Sequence, residues 1–158
     1  MIALDRFLVA LHKERVEFIV IGGMAGRVHG SARVTQDVDV VYGRSDANIA
    51  RLVKALTPMN PYLRGAPPGL PFEWSSATIN AGLNFTLQTS IGWVDLLGEV
   101  AGGGRYEDLA PHTVEVEAFG QMTLVVSLPW LIRLKRAAGR PRDFEAIAEL
   151  ELLQELGR

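Results

Sequence analysis

The apolar positions near the start of the chain recur at helical spacing. In ALDRFLVALHKE (3–14), Leu4, Phe7, Leu8 and Leu11 fall on one face, which predicts an amphipathic helix. The pattern then changes to the continuous, β-branched run VEFIVI (16–21), which stops at Gly22-Gly23 and reads as a strand entering a tight turn. A short helix is expected over 24–30, a connection over 31–35, and a second strand over QDVDVVY (36–42). A third helix is expected from Asp46, as its N-cap, to about Leu56.

Residues 57–71 contain five of the eight prolines and predict a loop with the character of a lid. Strands follow at 84–89 and 93–97 around a turn at 90–92, then a flexible glycine loop at 101–105. A hairpin is expected from 113–119 and 122–126 around Gly120-Gln121, and two helices over 128–138 and 142–156 close the chain. The order α-β-α-β-α, several strands, then α-α predicts one α+β domain over 1–158, a mixed sheet flanked by helices with a C-terminal helical pair.

Composition narrows the chemistry. Apolar residues make up 48% and charged residues 22%, a globular balance. The absence of cysteine excludes a disulfide scaffold, a thiolate zinc site and a cysteine nucleophile. No secretory pattern opens the chain and no apolar run reaches the roughly 18 residues of a membrane span, so a cytoplasmic protein without a membrane partner is expected. A net charge of -2 does not suit a broad nucleic-acid-coating face, although Arg133, Lys135, Arg136, Arg140 and Arg142 form a local basic cluster.

The chemistry concentrates in three acids. Residues two apart on a strand share a face, so Asp37 and Asp39 project together while Val38 and Val40 point away. Two carboxylates on one face are costly to bury without a cation between them. Asp95 interrupts a second apolar strand, GWVDLL (92–97), and a neighbouring strand can bring it beside the pair. Three carboxylates suit Mg²⁺, a hard ion that prefers oxygen and keeps room for phosphate. Gly22-Gly23, between a strand and a helix, lets backbone N–H groups approach that phosphate.

The run IGGMAGRVHGSARVTQDVDVVYG (21–43) resembles the signature of the DNA polymerase β-type nucleotidyltransferase superfamily. That signature is an apolar residue, a Gly-Gly or Gly-Ser pair, a short helix, then Asp-x-Asp on a strand. Thirteen residues separate Gly23 from Asp37, a spacing the superfamily tolerates, and VDLL (94–97) resembles its third acidic strand. The run LIRLKRAAGRPRDFEAIAEL (131–150) is similar to the closing helices of the AbiEii-like branch, which includes toxins of bacterial toxin–antitoxin pairs. That resemblance implies active-site roles for Lys135 and Asp143. Many members carry a longer C-terminal region that binds the acceptor. Here the chain ends soon after the second closing helix, which implies a minimal catalytic module, an antitoxin-like small transferase or a degenerate member.

Each feature also has a plainer meaning. Asp-x-Asp alone is usually a solvated strand face, Gly22-Gly23 an ordinary turn, Lys135 a surface lysine and Asp143 a helix-start acid. Arg33 and Thr35 line a nucleotide pocket or simply a turn; His29 is expected to be structural, with no second histidine nearby for zinc. Residues 102–104 are expected to be a mobile loop rather than a phosphate cradle, and the leucines of 150–156 a packing or dimer face.

The expected activity is transfer of a nucleoside monophosphate from a nucleoside triphosphate to an acceptor hydroxyl, with Mg²⁺. Asp37, Asp39 and Asp95 would hold metal, Gly22, Gly23, Arg33 and Thr35 nucleotide, and Lys135 with Asp143 would complete the catalytic set. The resemblance implies tRNA, protein or small-molecule acceptors and a cognate toxin or antitoxin protein. The alternative is a non-catalytic protein of the same fold acting through a protein partner.

Overall fold

The computed structural model describes residues 1–157. Helix α1 (Leu4–Lys13) buries Phe7, Leu8 and Leu11, the stripe its spacing predicts. All four residues of strand β1 (Phe18–Ile21) are buried, as expected of a strand paired on both sides. Helix α2 (Gly22–Val28) begins at Gly22 itself, earlier than the expected 24–30. In β2 (Asp37–Tyr42), Val38 and Val40 are buried while Asp37 and Asp39 are half-buried, so the alternation holds.

Helix α3 (Asp46–Leu56) is capped by Ser45, not Asp46: the Ser45 hydroxyl accepts from the Asn48 N–H (3.1 Å), leaving Asp46 in the first turn. The proline-rich segment is more ordered than a loop. It holds a 3₁₀ turn at Thr57–Met59 and the two-residue strand β3 (Tyr62–Leu63). Helix α4 (Ser76–Ala81) is a further element without a counterpart in the hydrophobic pattern, as is α5 (Tyr106–Leu109). Strands β4 (Asn84–Thr89), β5 (Gly92–Leu97), β6 (Thr113–Ala118) and β7 (Gln121–Val126) lie where expected. Residues 100–104 close into a tight turn rather than a loose loop, with the Val100 N–H on the Gly104 carbonyl (2.8 Å) and the Gly104 N–H on the Val100 carbonyl (2.9 Å). Helices α6 (Leu128–Ala138) and α7 (Pro141–Leu156) close the chain. In α7, Leu150 is buried and Leu153 packs on the core, whereas Leu152 and Leu156 are exposed.

The strands form one mixed sheet in the order β3-β4-β5-β2-β1-β7-β6. β2 pairs antiparallel with β1 and parallel with β5, so the strands bearing the acids are neighbours near the sheet centre. Helices α1, α3 and α4 pack together, and α2, α6 and α7 form a second group. The α+β class, the mixed sheet and the C-terminal helical pair are as expected. Among the described residues no helix is long and apolar enough to cross a membrane.

Candidate active site

Strand register does most of the assembly. In the β2–β5 pairing Asp39 sits opposite Asp95, and in the β1–β2 pairing Ile21, the residue before Gly22, sits opposite Asp39. Carboxylate oxygens of Asp37, Asp39 and Asp95 lie within 4.8 Å of one another. Gly22 has φ +67°, and a Cβ there would collide with the Asp39 carboxylate. A Cβ on Gly23 would come within 2.9 Å of Thr35. The two glycines are therefore needed for close approach as well as for the turn.

The cluster is electrostatically unfavourable without a cation. Burial pushes the Asp39 carboxyl up to about 8, reinforced by its hydrogen bond with Asp95 and by repulsion from Asp37 and Asp95; Lys135 works in the opposite direction. Asp39 Oδ1 is buried and has no hydrogen-bond partner. An orphaned carboxylate oxygen facing two further acids fits a hard divalent ion, so the residues present suit Mg²⁺.

Asp37 is steadied by Thr35, whose hydroxyl lies 3.1 Å from both the Asp37 carbonyl and Asp37 Oδ1. Asp95 has a partner that the hydrophobic pattern does not reveal. Arg64, just after β3, donates from Nη2 to Asp95 Oδ1 at 2.8 Å and from Nε and Nη2 to the Leu87 carbonyl. Its guanidinium lies 4.8 Å from the centre of the Trp93 ring. Asp95 is thus held by an arginine from the proline-rich segment.

Two cavities meet at the acids, and Gly22, Asp39, Asp95, Lys135 and Arg140 line both. The first, of about 260 Å³, is polar, with Gly23, Arg33, Thr35 and Arg142 in its wall. The second, of about 400 Å³, has an apolar wall from β4, β5 and α6. Lys135 faces the acids from α6 but makes no direct ion pair among the described residues. Burial lowers its pKa, Asp143 and Asp39 oppose that, and Arg140 and Arg33 add to it. Asp143 is 3% exposed and caps α7: its Oδ2 accepts from the Arg140 backbone N–H (3.2 Å) and from Arg140 Nε (2.8 Å). Arg33 is exposed and reaches Glu145 at 3.7 Å. His29 donates from Nε2 to the Val126 carbonyl (2.8 Å), a structural contact.

Neither a protein-family profile nor a curated protein matches the sequence. The structure is similar to the crystal structure of a Thermotoga maritima protein provisionally described as a nucleotidyltransferase. The two share 16% identity over 94% of each chain, with a TM-score of 0.60. The fold is that of the nucleotidyltransferases. At this identity the likeness speaks to the fold, and it does not extend to the AbiEii-like branch, whose resemblance is carried by residues 131–150.

Proposed function

We propose that the protein is a Mg²⁺-dependent nucleotidyltransferase that moves a nucleoside monophosphate from a nucleoside triphosphate to an acceptor hydroxyl. The observation that carries this reading is the convergence of Asp37, Asp39 and Asp95 beside the Gly22-Gly23 turn. Asp37, Asp39 and Asp95 would hold the ion. When bound there, Mg²⁺ would neutralise phosphate charge and align the reacting oxygens. Gly22 and Gly23 would present backbone N–H groups to the phosphates, with Arg33 and Thr35 in the same cavity wall. The acceptor oxygen would bond to the α-phosphorus as the bridge to the β-phosphate breaks. Pyrophosphate leaves, and the hydroxyl proton passes to Asp95. Lys135 would offset phosphate charge from the opposite wall, and Asp143 would hold Arg140 toward the same cleft. The cytoplasm, where triphosphates and Mg²⁺ are abundant, is the setting this chemistry suits.

The test is label transfer. Each α-phosphate-labelled triphosphate is incubated with the protein, Mg²⁺ and cell lysate. Wild type should label an acceptor, and the double variant Asp37→Asn/Asp39→Asn should label none. Equal labelling by both would sink the reading. One contact favours the non-catalytic alternative, a protein of this fold acting through a protein partner: Arg64 already occupies one oxygen of Asp95. Nucleotide binding without any labelled product would support that alternative. A place in a toxin–antitoxin pair is supported by the resemblance of residues 131–150 alone.

A further inference from the structure

We propose, on the transferase reading above, that the apolar cavity beside Asp95 is the acceptor site, and that the acceptor is a small apolar molecule bearing a hydroxyl group. The polar cavity suits the leaving pyrophosphate, since Gly23, Arg33 and Arg142 line it. Phosphoryl transfer places the attacking and leaving oxygens roughly in line across the phosphorus. The attacking hydroxyl therefore arrives from the far side of the acids, where the cavity of about 400 Å³ opens onto Asp39 and Asp95. That volume lies within the range of small-molecule sites, about 300–1,000 Å³. Its wall contains Phe85, Leu97, Leu131, Leu134 and Ala138, which suit an apolar body rather than a sugar-phosphate chain.

The charges point the same way. A polynucleotide acceptor needs unpaired cations along its backbone track. Arg136 pairs with Glu151 and Arg140 with Asp143. Glu99, exposed at the cavity wall, adds a charge that repels phosphate. Two cations of the C-terminal cluster, Arg136 and Arg140, are thus paired within the chain.

Binding of the neutral fluorophore N-phenyl-1-naphthylamine to the full chain tests this without requiring turnover. The fluorophore should brighten with wild type and be displaced by 4-phenyl-1-butanol, but by neither adenosine nor tRNA. Ala138 is exposed, so Ala138→Trp can fill the cavity mouth without disturbing the core; it should weaken fluorophore binding at least about tenfold. Ala138→Glu should do the same. In the transfer assay 4-phenyl-1-butanol should acquire label. Displacement by adenosine would make the cavity a nucleoside site, and displacement by tRNA a nucleic-acid site; either overturns the assignment. So does undiminished binding in both Ala138 variants. If these fail while Mg²⁺-nucleotide still stabilises the protein, only the acceptor assignment falls. Fluorophore binding with no response to Mg²⁺-nucleotide would overturn the transferase reading and the acceptor role together.

Discussion

At Asp39, burial and charge act in the same direction, and the consequence is a measurable pH dependence. Its carboxyl is pushed from the ordinary 3.8 up to about 8, so between those limits the folded protein holds a proton that the unfolded chain has released. Stability without metal is therefore greatest below the lower limit, falls as pH rises, and carries the full penalty above the upper one. Asp39→Asn, uncharged throughout, should flatten that slope in urea titrations and gain on the order of 2 kcal/mol at about pH 9. Parallel slopes for the two proteins would refute this account of Asp39. Because an ion must displace the proton, Mg²⁺ affinity measured by calorimetry should rise with pH until about 8 and then level off.

Among the elements, the junction that supports the site is a single buried side chain. Asn48 of α3 accepts from the Glu17 N–H (2.7 Å) and donates to the carbonyls of Glu17 (3.1 Å) and Gly43 (2.8 Å). It thereby joins α3 to the start of β1 and the end of β2. Asn48→Leu keeps the branched shape and leaves those backbone groups unpaired, so it should cost on the order of 3 kcal/mol in denaturant unfolding. A loss below about 0.5 kcal/mol would show that the junction is not structural. Asn48 was invisible to the hydrophobic pattern, because a polar residue in α3 looks like any solvent-facing one. The acids were legible: strand periodicity put Asp37 and Asp39 on one face, and the apolar run around Asp95 marked a second strand. β3 was hidden by its length of two residues among prolines, and α4 and α5 by being shorter than an amphipathic repeat. Arg64 escaped because its partner Asp95 lies far along the chain and only the pairing of β3, β4 and β5 brings them together.

Across the whole molecule, metal, nucleotide and fold stability are linked. Ligands that bind only the folded state stabilise it by mass action, by about 2.7 kcal/mol at a concentration a hundred times Kd. Mg²⁺ with nucleotide should raise the melting temperature more than either alone, and Asp37→Asn/Asp39→Asn should remain folded yet lose the joint effect. An identical response in the two proteins would detach these aspartates from both binding roles. The same sheet carries a cost that arises during synthesis. β1 is apolar along its whole length, and although β2 follows soon after it, its other flank is covered only when Val20 meets Val125 of β7. A nascent chain on the ribosome must therefore hold FIVI with an open strand edge until most of the message has been read. Such an edge pairs readily with neighbouring chains. Translation arrested before β7 should yield insoluble or chaperone-bound fragments, and slowing elongation between β2 and β7 should lower the yield of native protein.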